Sequence, residues 1–169
     1  MARIVLDSNV LVSAFLTRQF GGATFDLLSF AKEGRFELFL SNEILEETAE
    51  VLLRHGRFRR RLQYPDAAVF QYCQELARLA LIVEDVPEIQ VVRDPDDDMV
   101  LACAIAARAD FLISRDKDLL VLDPHEDIKI VTPEVFLHLL RNEKSVDRSL
   151  PRIEPRAFFH YARADRSGT

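Results

Sequence analysis

The sequence predicts an α/β domain, a mostly parallel sheet with helices over both faces in a three-layer α/β/α arrangement. Short apolar runs at Ile4-Val5-Leu6, Phe36 to Leu40, Leu81-Ile82-Val83, Phe111-Leu112-Ile113 and Ile128 to Val131 alternate with longer segments of helical spacing. Most of these runs are continuous rather than alternating, as in strands covered on both sides. The 169 residues, 49% hydrophobic and 30% charged, suffice for one full core and are too few for two.

Arg3 to Asp7 reads as a short strand ending at a polar break, from which Asp7-Ser8-Asn9 start a helix through about Phe15. Asp or Ser is a common N-cap at such a point, and on its own Asp7 is read as that cap. Gly21-Gly22 breaks the pattern as a loop. Phe25, Leu27, Leu28 and Ala31 then space a helix over Ala23 to Lys32, closed by Gly34.

After the strand Phe36 to Leu40, Ser41-Asn42 cap a helix over Glu43 to Leu53. Its acidic first turns suit the helix dipole. Ile44, Leu45, Thr48, Val51 and Leu52 define its core side; Glu47 lies beside that side, with Glu43 one turn earlier on the same face, while Glu46 and Glu50 point outward. The run Arg54 to Arg61 is the one conspicuous basic stretch. It reads equally as a solvated helix end or as a rim where Arg57, Arg59, Arg60 and Arg61 bind nucleic-acid phosphates.

Pro65-Asp66 begin a helix to about Leu81, with Val69, Tyr72, Cys73, Leu76, Ala77 and Ala80 at helical spacing. The strand Leu81 to Val83 follows, then an irregular stretch around Pro87 in which Ile89 to Val92 is a further extended candidate. Asp96 to Ala109 is a helix with a broad apolar surface, and Phe111 to Ile113 a buried strand. Asp116 to Leu120 makes a turn or one helical turn; Ile128 to Val131 is the last strand, and Pro133 to Leu140 the last full helix, with Thr132 as its cap. Beyond Arg141 the composition shifts to Arg, Asp, Ser and Pro with the isolated aromatics Phe158, Phe159 and Tyr161. Residues 1–141 are therefore taken as the domain and 142–169 as a tail, either extended or docked on a partner.

In such a sheet ligands bind beyond the carboxyl ends of the strands. Asp7 ends the first strand, Glu47 lies in the helix after the second, Asp98 opens the helix after the third, and Asp116 follows the fourth. Clustered carboxylates repel unless their pKa values rise or a cation binds. Oxygen donors of this kind suit Mg²⁺ or Mn²⁺, and the lack of His or Cys at ligand spacing argues against zinc. His55, His125, His138 and His160 are scattered and receive no catalytic role. A bound ion of this type activates water and stabilises a leaving oxyanion, so phosphodiester hydrolysis is the natural chemistry. The chain has no glycine-rich phosphate loop and no Ser-His-Asp or Cys-His pattern.

The ordered set Ile4-Val5-Leu6-Asp7-Ser8-Asn9, Ser41-x-Glu43-Ile44-Leu45-x-Glu47, Asp94-Pro95-Asp96-Asp97-Asp98-x-x-Leu101-Ala102 and Leu112-Ile113-Ser114-x-Asp116-x-Asp118-Leu119 resembles the PIN-domain nucleases. It looks most like the prokaryotic toxin components of toxin–antitoxin systems, relatives of the VapC ribonucleases, from about Arg3 to Leu140. The resemblance implies a five-stranded parallel sheet and a Mg²⁺- or Mn²⁺-dependent endoribonuclease. It carries the acidic quartet onto Asp7, Glu47, Asp98 and Asp116, a further acid ligand onto Asp118, and supporting polar positions onto Asn9 and Ser114. Asp97 is the competitor of Asp98; Asp98 is chosen because it stands three residues before Leu101-Ala102, the spacing the resemblance implies. RNA as substrate, a protein antitoxin as partner and a homodimer or higher oligomer follow from the same likeness. A catalytically silent binding module of the same fold is the alternative, and retention of all four acids weighs against it. A receiver-type signalling module fits poorly, because neither Lys117 nor Lys129 stands where its lysine is required.

The net charge of −6 argues against a broad basic binding face but leaves room for local basic patches. Cys73 and Cys103 sit inside apolar helical patterns without metal or disulfide spacing, which favours buried free thiols and a cytoplasmic compartment. The opening Met-Ala-Arg leads straight into the first strand with no signal-peptide pattern, and no apolar run reaches membrane-spanning length. A soluble protein is expected.

Overall fold

The structure is a computed structural model that describes residues 1–54 and 56–146. His55, His160 and the tail from residue 147, including Phe158, Phe159 and Tyr161, lie outside the described residues, and so does the expectation for that tail. Five strands, β1 (Arg3–Leu6), β2 (Glu37–Ser41), β3 (Leu81–Val83), β4 (Phe111–Ile113) and β5 (Lys129–Val131), form one sheet in the order β3-β2-β1-β4-β5. Every pairing is parallel, with Val5 opposite Phe39 on one side and Leu112 on the other.

Ile4, Val5 and Leu6 are fully buried in succession, as are Leu112 and Ile113. Successive strand side chains point to opposite faces, so this uninterrupted burial means that both faces of the sheet are covered. At the β3 edge the cover thins, and Leu81 is half exposed. Residues 84–92 contain no strand, so the extended candidate Ile89 to Val92 is not realised. That segment runs beside the sheet, and part of its backbone is satisfied by a side chain instead of a ladder.

The helices are α1 (Ser8–Thr17), α2 (Ala23–Lys32), α3 (Asn42–Arg54), α4 (Gly56–Leu62), α5 (Asp66–Leu79), α6 (Pro95–Ala106), α7 (Lys117–Leu120) and α8 (Pro133–Val146). α6 packs directly on β1, β2 and β4, which its small buried residues Ala102, Cys103 and Ala104 permit. α2 lies against α1 and α8, and α3 against α1 and α5. Gly34, at φ +70°, ends α2 by donating its N–H to the Ala31 carbonyl, a conformation glycine adopts without steric cost.

The basic run forms a helix of its own rather than the end of α3. A second core of Val12, Phe15, Leu52, Tyr64 and Val69 lies beside it, with Phe58 and Leu62 packed against that core. Tyr64 donates its hydroxyl to the Leu52 carbonyl at 2.6 Å and meets Phe15 edge-on at 5.0 Å.

From β1 the chain winds outward through β2 to β3, then returns across the sheet to β4 and β5. The direction of winding thus reverses between β1 and β4. Beyond the carboxyl ends of those two strands the connecting segments diverge and leave a crevice, the place where α/β sheets bind ligands.

Candidate metal centre

The crevice is built from the ends of β1 and β4 and the N-termini of α6 and α7. Asp7 follows β1 and is buried, with its backbone N–H on the Ile113 carbonyl at 3.0 Å. Its backbone is extended as in an N-cap, but its carboxylate makes no capping bond to α1, so the capping reading is corrected. Instead Oδ2 accepts from Ser114 Oγ at 2.6 Å and from Asn9 Nδ2 at 2.9 Å, and Oδ1 from Ser8 Oγ at 3.3 Å. Ser114 Oγ also accepts the Asp116 N–H at 2.9 Å, and Asn9 Oδ1 the Arg115 N–H at 3.4 Å. Asn9 and Ser114 thus tie the end of β1 to the turn after β4 and hold Asp7 in one orientation.

α6 begins where Asp94 Oδ1 accepts the Asp96 N–H at 3.0 Å and Pro95 enters the first turn, both favourable starts. Asp116 caps α7 in the same way, accepting the Asp118 N–H at 2.8 Å. These two starts bring carboxylate oxygens of Asp97, Asp116 and Asp118 within 4.8 Å of one another. It is the one grouping of three or more potential metal-ligating side chains of this compactness among the described residues.

Electrostatics binds Asp7 and Glu47 to the same field. Burial, then repulsion from Asp116, Asp7, Asp94 and Asp118, pushes the Asp97 carboxyl up to about 7. Burial likewise raises Asp7, opposed by the hydrogen bond from Ser114 and reinforced by Asp116. Glu47 is raised by burial, relieved in part by the Ser8 hydroxyl and reinforced by Asp96, Asp7 and Asp94. Glu47 Oε2 is buried without a hydrogen-bond partner.

Asp98 sits differently. It is as buried as Asp97, but its Oδ1 accepts the backbone N–H groups of Val91 and Val92 at 2.8 and 2.7 Å. This is what satisfies the backbone of the irregular segment before α6. Asp98, the expected member of the acidic centre, is not in the compact grouping, whereas its neighbour Asp97 is; adjacent positions on a helix point about 100° apart. The sequence held no signal for this: Asp97 with Val100, Leu101 and Ala104, and Asp98 with Leu101, Ala102 and Ile105, follow the same i, i+3, i+4, i+7 apolar spacing.

Ser8 is a polar neighbour of Asp7 and Glu47 that sequence reasoning passed over; it stood next to Asp7 but carried no distinguishing pattern. The arginines divide. Arg59 bonds Asp66 and reaches the Leu53 carbonyl, while Arg57, Arg60 and Arg61 remain exposed. The expectation that all four arginines contact nucleic acid therefore meets a competing structural role at Arg59.

The donors of the crevice are carboxylate oxygens, with no nitrogen or sulfur among them. Mutual repulsion among carboxylates at an open crevice, together with the unpartnered Glu47 oxygen, fits a hard divalent cation with some of its waters retained.

A sequence model described as the PIN domain matches residues 3–118, more than half of the chain. The crystal structure of PAE2754 from Pyrobaculum aerophilum is similar in fold, with a TM-score of 0.55 over 83% of this chain and 90% of that chain, at 15% identity. No curated protein matches the sequence.

Proposed function

Because the chain belongs to the PIN-domain family, whose members are in general nucleases, we propose that it is a Mg²⁺- or Mn²⁺-dependent endoribonuclease. The observation that carries this reading is the convergence of Asp97, Asp116 and Asp118 oxygens within 4.8 Å, beside the buried Asp7. Asp7, Asp97 and Asp116 hold the ion, and Asp118 contributes from the outer side. A bound divalent ion supplies Lewis acidity for activating water and stabilising the leaving oxygen of a phosphodiester.

The protein's own groups do the positioning. Ser114 and Asn9 orient Asp7 by hydrogen bonds, and the bond from Ser114 opposes the upward push of burial on its carboxyl. Glu47, whose Oε2 is buried without a hydrogen-bond partner and whose carboxyl feels the charges of Asp7, Asp94 and Asp96, is the group assigned to orienting a water or accepting its proton. Asp98 acts one step back, anchoring the segment at Val91 and Val92 from which α6 starts. In this assignment Asp97 takes the place that the sequence resemblance gave to Asp98.

The likeness to toxin components extends the proposal to a cytoplasmic toxin restrained by a protein antitoxin and acting as a homodimer or higher oligomer. No helix among the described residues is long and apolar enough to cross a membrane. Residues 1–141 carry the nuclease in this reading, although α8 continues past that boundary to Val146.

The test is cleavage of fluorescent single-stranded and hairpin RNA with Mg²⁺, Mn²⁺ or EDTA. Metal-dependent cleavage that Asp7→Asn and Asp97→Asn remove is the expected result. Wild-type activity no greater than that of Asp7→Asn under every metal condition would sink the enzyme reading and leave a silent binding module. Growth arrest on induced expression, relieved by Asp7→Asn, tests the toxin role separately.

A further inference from the structure

We propose that the outer face of α4 is a second contact surface for nucleic-acid backbone, engaging phosphates several nucleotides from the bond held at the acidic centre. This rests on the nuclease reading and adds to it the location of the strand's second hold.

α4 has two faces. Phe58 and Leu62, at i and i+4, pack inward beside the second core. Arg59 anchors the helix through Asp66 and the Leu53 carbonyl, and stands over the Tyr64 ring at 5.7 Å. Arg57, Arg60 and Arg61, at i, i+3 and i+4, share the remaining face. All three are exposed, and none has a hydrogen-bond or ion-pair partner among the described residues.

Arg59 reaches the Leu53 carbonyl in the last turn of α3 and the Tyr64 carbonyl just past α4, and so ties the two ends of the segment together. Three further guanidiniums crowd like charge on one short helix in a chain of net charge −6. Folding does not call for them, but a polyanion does.

The placement suits a strand that also reaches the crevice. A groove of about 460 Å³ runs along α3 past Glu43, Glu46, Glu47 and Glu50, faces Asp96, and ends at Arg54. Glu47 and Arg54 are about 10 Å apart along the helix axis at the usual rise, and α4 begins just beyond. Carboxylates line this groove, so a phosphate backbone is repelled along it and needs cations at its far end. Arg54 itself is occupied by Glu50 at 2.5 Å, which leaves the α4 face as the attractive pole.

The test separates binding from cleavage. Anisotropy of a fluorescent single-stranded RNA is titrated without divalent metal, across a salt series, for the wild type and for Arg57→Gln/Arg60→Gln/Arg61→Gln. Removing three phosphate contacts should reduce the slope of log K against log salt by about 2 and weaken low-salt binding roughly tenfold or more. Thermal stability should stay unchanged, whereas Arg59→Gln should lower it. With Mn²⁺ the triple variant should cut a long strand less efficiently through a raised KM and cut a trinucleotide like the wild type.

Unchanged affinity and salt slope in the triple variant would overturn the proposal, as would the absence of metal-free RNA binding by the wild type. Loss of binding to polyglutamate with RNA binding intact would overturn it in favour of an acidic protein partner. A reduced salt slope with no cleavage by any variant would support the α4 face while defeating the nuclease reading.

Discussion

Exchanging the adjacent carboxylates Asp97 and Asp98 should move stability in opposite directions. In the folded protein Asp97 holds its proton up to about 7, against a reference value of 3.8. A carboxyl raised on folding binds more protons in the native state, so its contribution favours the fold at low pH and is lost as pH rises from about 4 to about 7. The full shift, roughly 3 units, corresponds to about 4 kcal/mol, and water in the open crevice reduces this to about 2 kcal/mol. Asp97→Asn should therefore stabilise the metal-free protein at pH 8 by that amount, raising Tm by about 4–8 °C. Asp98→Ala instead strips Val91 and Val92 of their shared acceptor. Hydrogen bonds to a carboxylate contribute about 1.5–3 kcal/mol each, so the loss should be about 3–6 kcal/mol and the fall in Tm about 6–24 °C. Asp98→Asn, whose amide oxygen still accepts, should recover part of it.

The assay is thermal unfolding at pH 8 in EDTA and in a Mn²⁺ series. Saturating Mn²⁺ should stabilise the wild type by about 2.7 kcal/mol at a hundredfold excess over Kd. Asp98→Asn should retain that increment and Asp97→Asn should lose most of it. An Asp98→Ala protein of unchanged Tm that no longer responds to Mn²⁺, with Asp97→Asn destabilised yet still responsive, would refute the assignment.

Three other outcomes follow from the geometry. Ser114→Ala removes the 2.6 Å bond to Asp7 and the acceptor for Asp116 N–H; stability should fall by about 1–3 kcal/mol and the Mn²⁺-induced thermal shift should shrink, both visible by calorimetry. Mn²⁺ affinity should rise with pH up to about 7 and then level off, because the ion displaces the proton held by Asp97; titration in buffers of different ionisation enthalpy should show more proton release at pH 6 than at pH 8. Leu112→Ala, fully buried on the interior strand β4, should cost about 2–5 kcal/mol by opening a cavity; an unfolding curve matching the wild type would contradict the packing described.

Much of the architecture was written in local patterns. The runs Ile4-Val5-Leu6 and Phe111-Leu112-Ile113 are apolar without alternation, which suits only strands covered on both faces. Acids placed after successive strands had to gather at one sheet edge, because parallel strands share a direction. The division of residues at that edge was less legible. Asp97 and Asp98 are identical in chemistry, adjacent in sequence and followed by equally apolar helical spacings, so local pattern did not separate them. The basic stretch was legible as an anomaly, while the split between an anchoring Arg59 and three unpartnered arginines depended on where Asp66 and Tyr64 came to lie.

By itself the sequence determined the class of fold and the sheet edge at which its acids gather, since these follow from hydrophobic periodicity and chain direction. Only the tertiary structure decided which acid faces the crevice. That choice rests on the rotation of α6 about its axis and on an irregular segment whose Val91 and Val92 N–H groups needed Asp98. Contacts between distant parts of the chain leave no period in the sequence, and a single residue's rotation on a helix is enough to exchange a carboxylate that binds backbone for one that joins the acidic grouping.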